Sequence, residues 1–122
     1  MLTDTEVQIV GSYFRSFYPA PAVALDTKQN DADESYILIE GGGLSIGKHL
    51  VPAQQVISQR FVPGYVYRIY DETGSDDGTE YKDLGSAVKV AMIQYATEMF
   101  RRVNDQLATA AQAEDFLQHK DK

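Results

Sequence analysis

The sequence predicts one α+β domain: a short N-terminal helix, a small antiparallel sheet of two to four strands, and a long C-terminal helix packed on the sheet. Three observations carry this. Val7, Val10, Phe14 and Phe17 recur at steps of three and four near the start, which is a helical face. Segments rich in Tyr, Ile and Val with a two-residue period occupy the middle. An apolar helical pattern then runs from Ser86 to the end without Pro or Gly.

At 122 residues the chain has the size of one domain, and we take residues 1–122 as that unit. A domain of this length buries roughly two thirds of the surface its unfolded chain exposes, so one core is expected.

The elements follow in order. Residues 3–17 form the first helix, capped by Thr3 or Asp4, with Glu6 in the first turn at the positive helix end. Pro19 and Pro21 stop it. Residues 22–35 turn polar, with Asp31, Asp33 and Glu34 close together, and are expected to be an exposed connection. Tyr36-Ile37-Leu38-Ile39 reads as a strand ended by Gly41-Gly42-Gly43, and residues 44–50 return as its hairpin partner. Residues 52–62 fit a short helix or another strand through Val56-Ile57, and both stay open. Pro63-Gly64 is a turn. Residues 65–70 are the clearest strand, with Tyr65, Tyr67 and Ile69 on one face and Val66, Arg68 and Tyr70 on the other.

Residues 71–78 form a flexible acidic loop, after which Asp83 or Ser86 caps the last helix. Its stripe is Val88, Met92, Tyr95, Met99 and Val103, widened by Ala91, Ala96, Phe100 and Leu107. A run of about 25–30 residues spans roughly 40–45 Å, against a diameter of about 35 Å for a domain of this length. The C-terminal part is therefore expected to overhang the core, with residues from about 112 a mobile or projecting tail. Met99, Val103 and Leu107 are the candidates for self-association.

Charge narrows the partners. Eleven Lys and Arg against 18 Asp and Glu give a net charge of −7, with no basic run, which argues against direct nucleic-acid binding and against anionic membranes. There is no Cys, hence no disulfide, thiolate metal site or thiol nucleophile. No secretory signal and no membrane span is visible, so the expected location is cytoplasmic.

Gly42-Gly43-Leu44-Ser45-Ile46-Gly47-Lys48 has the spacing of a phosphate-binding loop, but His49 stands where the magnesium-binding hydroxyl belongs and Pro52 follows too soon for a helix. A turn or a close backbone approach is the expected use of these glycines. Asp71, Glu72, Asp76, Asp77, Glu80 and Asp83 crowd together without the ligand alternation of the helix–loop–helix calcium motif. A solvated turn is expected there, and no metal or cofactor. His49 and His119 offer no recognisable catalytic set. Tyr36, Tyr65, Tyr67 and Tyr70, with Arg68 among them, have the composition of an interaction patch.

The order of elements is similar to that of a double-stranded-RNA-binding domain. That family places Lys clusters at the start of its last helix, whereas this chain has Glu80-Tyr81-Lys82-Asp83 there. RNA binding is not carried over.

The sequence thus points to a non-catalytic protein-binding module with a protein partner, forming a homo-oligomer. A sharper version is an acidic inhibitor of a host nucleic-acid-binding protein, a viral accessory of the sort mobile elements encode. In it, Asp31, Asp33 and Glu34 would join the acids of residues 71–83 in one stripe. The binding surface is expected at Arg68, Tyr70, Asp71, Glu72, Asp76, Asp77 and Glu80. The alternatives are an assembly protein of a virus particle and an enzyme of unknown class.

Overall fold

The chain adopts the expected α+β architecture in a computed structural model that describes residues 2–41, 43–51 and 64–120, with side chains through Glu114. The order is α1 (Asp4–Phe14), β1 (Val23–Asn30), β2 (Glu34–Ile39), β3 (Leu44–Val51), β4 (Gly64–Tyr70) and α2 (Leu84–Lys120). The strands form one antiparallel sheet in sequence order, β1-β2-β3-β4. The open choice between helix and strand for residues 52–62 lies outside the described residues.

Thr3 starts α1 through a capping box: its hydroxyl accepts the Glu6 amide while the Glu6 carboxylate accepts the Thr3 amide. The helix ends at Phe14 with Arg15 as its cap, earlier than the expected residue 17. Phe17 instead sits in the turn beyond, where its ring meets Phe14 and Tyr95 at centroid distances of 5.7 and 4.8 Å. Its apolar spacing reflected core packing rather than helix.

A larger correction concerns residues 22–35, expected to be a connection. They contain β1, an edge strand that pairs Val23 with Ile39 and Leu25 with Ile37. Val23 and Leu25 lean on the core, but a register irregularity between Leu25 and Asn30 and the polar run Asp26-Thr27-Lys28 hide the strand alternation.

Both helices cover one face of the sheet. Ile37, Ile39, Ile46, Tyr67 and Ile69 are buried there with Val10 and Phe14 of α1 and Val88, Ala91 and Tyr95 of α2. As expected, Tyr67 and Ile69 share the covered face, while Arg68 and Tyr70 point the other way.

Asp83 caps α2, its carboxylate accepting the Ser86 amide at 2.8 Å. The helix runs 37 residues, about 55 Å at 1.5 Å per residue. Its stripe divides along its length. Val88, Ala91 and Tyr95 are buried and Met92 and Met99 lean on the core, whereas every residue from Phe100 to Glu114 is exposed. The steps of four from Tyr95 through Met99 and Val103 to Leu107 each drift about 40° around the helix, carrying the stripe off the sheet.

Glu6 ties α1 to the sheet. Beyond its capping role it accepts Lys48 Nζ at 3.0 Å and the Tyr67 hydroxyl at 2.9 Å, with all three side chains mostly shielded from solvent. Burial pushes the Glu6 carboxyl up. The hydrogen bonds from Lys48, Thr3 and Tyr67 and the Lys48 charge outweigh it and hold the group below its ordinary 4.5. A folded-state value below the unfolded one contributes stability above about pH 4.5 that is lost as pH falls through the folded value. Glu6→Gln should lower stability near neutral pH by about 1–3 kcal/mol. It should also flatten the loss of stability below pH 4.5 in urea unfolding; an acid limb as steep as that of the parent would exclude this assignment.

Candidate functional site

The face of the sheet opposite the helices gathers its polar and aromatic side chains over one glycine. Register sets Tyr36, Gly47 and Arg68 in one cross-strand row, flanked by Glu34, His49 and Val66 on one side and Leu38, Ser45 and Tyr70 on the other. Gly47 leaves the space. A Cβ there would lie 2.6 Å from His49 Nε2 and 2.8 Å from ring carbons of both Tyr36 and Tyr70. The three rings meet edge to face over it, with centroids 5.6–5.9 Å apart.

The glycines of the phosphate-loop spacing serve a turn and a close approach, as expected. Gly41 and Gly43 sit in the β2–β3 turn at φ 87° and 66°, and Gly47 and Lys48 lie inside β3 rather than at a helix N-terminus. The close backbone approach expected of these glycines is found at Gly47.

The polar groups form one connected set. The Tyr70 hydroxyl and His49 Nε2 are 2.8 Å apart, His49 Nδ1 lies 3.9 Å from Glu34, and Tyr36 donates to Glu34 at 3.0 Å. A neutral imidazole with its proton on Nδ1, toward Glu34, leaves Nε2 to accept from Tyr70. Burial and the Arg68 charge push His49 below its ordinary 6.5, against the pull of Glu34, Asp76 and Glu80. Burial and the bond to Glu34 push Tyr36 up to about 12, and burial and Asp76 push Tyr70 up, partly offset by Arg68. Both phenols thus stay protonated as hydrogen-bond donors.

Arg68 is held at the rim by Glu80 at 2.6 Å and faces Asp76 at 4.0 Å. Its Nε and Asp76 Oδ2 are shielded from solvent without hydrogen-bond partners.

The residues expected to bind therefore separate. Arg68, Tyr70, Asp76 and Glu80 come together with Glu34, Tyr36 and His49. Asp71 and Asp77 face a cleft of about 260 Å³ beside Gln94 of α2 and serve the loop itself. Asp71 accepts the Thr73 and Ser75 amides, and Asp77 the Thr79 amide. Glu72 packs beside Gly43 at the hairpin turn. Of the acids expected in one stripe, Glu34 joins Asp76 and Glu80 around His49, whereas Asp31 caps the β1–β2 turn by accepting the Asp33 and Glu34 amides. Among the described residues no group of three or more His, Asp or Glu is arranged to hold a metal ion. Of the self-association candidates, Met99 leans on the core while Val103 and Leu107 are exposed.

Sequence reasoning placed Glu34 only in the expected acidic stripe and did not name His49 or Gly47 in the binding surface. A signal existed in a Gly two residues before a His in a strand flanked by Tyr-bearing strands, but it becomes legible only once the register is known.

No family model, curated protein or solved structure matches the chain. The site is therefore judged on its own geometry. Among the described residues no helix is long and apolar enough to cross a membrane.

Two outcomes test this geometry. Arg68→Gln should raise the His49 titration midpoint in NMR, because it removes a repelling cation and leaves Asp76 and Glu80 uncompensated; an unchanged midpoint would separate Arg68 from His49. Gly47→Ala should cost about 1–3 kcal/mol by overpacking and shift the Tyr36 and Tyr70 ring resonances, whereas a neutral substitution would mean the rings are not held over the glycine.

Proposed function

We propose that this chain is a non-catalytic protein-binding module that works in self-associated form, with α2 as its association element. The observation that carries this is the apolar surface that α2 leaves in solvent: Ile93, Phe100, Val103 and Leu107 are 66, 67, 50 and 62 % exposed. Scattered surface apolar residues need no explanation, but four on one helix make a contiguous patch. Covering each would contribute roughly 1–2 kcal/mol. A helical stretch without tertiary cover is also marginal by itself, so a packing partner gives α2 the support that the sheet does not.

In this reading the open sheet face is the surface for a further protein. Tyr36 and Tyr70 supply amphipathic contact area there, and Glu34, Asp76 and Glu80 give it an acidic rim. The Tyr70–His49 and Tyr36–Glu34 hydrogen bonds are read as orienting the rings of the face rather than as a proton relay, since His49 and Glu34 stand 3.9 Å apart.

Light scattering tests the association. The wild-type protein should have a mass above that of one chain, and Leu107→Asp should bring it toward a single chain while circular dichroism shows the fold retained. A wild-type monomer at tens of micromolar, or a variant of unchanged mass, would reject α2 as the association element.

A further inference from the structure

The exposed face of α2 carries more than apolar area. Lys89, Ile93, Ala96, Phe100, Val103, Leu107, Ala110 and Glu114 follow one another in alternating steps of four and three, the spacing of a coiled-coil seam, and all eight are exposed. The first three lie on the part of α2 whose other side buries Val88, Ala91 and Tyr95, so the body of the domain leaves the seam open beside it. From Lys89 to Glu114 the seam is about 38 Å long at 1.5 Å per residue.

We infer that a second copy of this chain packs on this seam in antiparallel orientation. The inference rests on the self-association reading above and adds the partner's direction and register. Charge selects the partner first. The positions flanking the seam are Val90, Thr97, Asn104 and Ala111 on one side and Met92, Met99, Gln106 and Ala113 on the other, and none is charged. The charged residues within the stretch pair among themselves elsewhere on the helix, Arg101 with Glu98 and Asp105, and Arg102 with Glu98. Flanking charges are what usually choose one coiled-coil partner over another, and a seam without them offers nothing that rejects an identical copy. A chain of net charge −7 can thus meet itself across a surface whose only charges are Lys89 and Glu114.

Direction follows from what each arrangement stacks. In a parallel pair every seam residue meets its own copy, so Lys89 faces Lys89, Glu114 faces Glu114, and bulky Phe100 layers alternate with thin Ala96 and Ala110 layers. In the antiparallel pair Lys89 meets Glu114, Ile93 meets Ala110, Ala96 meets Leu107 and Phe100 meets Val103. Both end layers become ion pairs, and every apolar layer joins a larger side chain to a smaller one, which fills the interface evenly.

Because the chain has no Cys, disulfide trapping reads the arrangement directly. An equimolar mixture of the Ile93→Cys and Ala110→Cys proteins should form a disulfide between the two different variants under mild oxidation, identified by peptide mass, while neither variant by itself, nor Ala96→Cys, should cross-link. Lys89→Glu should weaken the dimer about 2- to 10-fold by turning two opposite-charge contacts into like-charge ones, and adding Glu114→Lys should restore it. Cross-linking of Ala96→Cys, together with cross-linking of each variant to its own copy rather than to the other, would mean parallel pairing; it would overturn the antiparallel inference and leave self-association standing. No cross-link in either case, with single-chain mass in light scattering, would overturn both.

Discussion

Glu6 is where the local and tertiary structure of this chain meet, since one carboxylate closes the capping box of α1 and also receives Lys48 from β3 and the hydroxyl of Tyr67 from β4. Tyr67 carries the connection further. Its backbone exchanges two hydrogen bonds of 2.8 Å with Tyr81, which places the chain just before the Asp83 cap of α2. α1 is thus tied to the sheet by the Glu6 carboxylate, and the approach to α2 by the backbone of Tyr67, whose hydroxyl that carboxylate accepts. A mostly shielded carboxylate suits this role, because hydrogen bonds to an ionised group are stronger than neutral ones.

The sheet that this arrangement covers on one side is free to specialise on the other. On the helix side it presents Ile, Tyr and Leu. On the open side Gly47 trades strand propensity for space, and Tyr36, His49 and Tyr70 fill that space. A glycine inside a strand is normally a weakness, and here three rings in mutual contact offset it. His49 has its Nε2 bonded and its charge disfavoured by burial and by Arg68, so the neutral ring is favoured near neutral pH.

The sequence made the main elements legible wherever the period was clean. The helix starting at Thr3, the strand from residue 65 to 70 and the C-terminal helix were all readable because propensity, pattern and punctuation agreed. β1 was not, because only Val23 and Leu25 keep the alternation before Asp26 and the register irregularity break it. The site was half legible. Tyr36, Arg68 and Tyr70 stood out by composition, but His49 and Glu34 join them only through the β2–β3–β4 register, which depends on turn geometry and packing across strands. The acidic loop misled in the opposite direction. Asp71 and Asp77 look like a charged surface in sequence, yet their oxygens are committed to backbone amides of their own loop.

Net charge and association pull against each other in a chain like this one. Charge far from zero keeps copies apart, so an acidic protein that self-associates needs a surface from which its charge is withdrawn. α2 has one. Glu98, Arg101, Arg102 and Asp105 are gathered into contacts away from the seam, which keeps only Lys89 and Glu114 as charges, and Arg102 also reaches the Gly41 carbonyl of the β2–β3 turn. Ala96 and Ala110 keep the seam thin beside Ile93 and Leu107. Solubility alone would not require this separation, since an exposed helix is most soluble with its charges spread around it. The segregation of charge from the seam is what the self-association proposed above would need, and more than solvation alone would require.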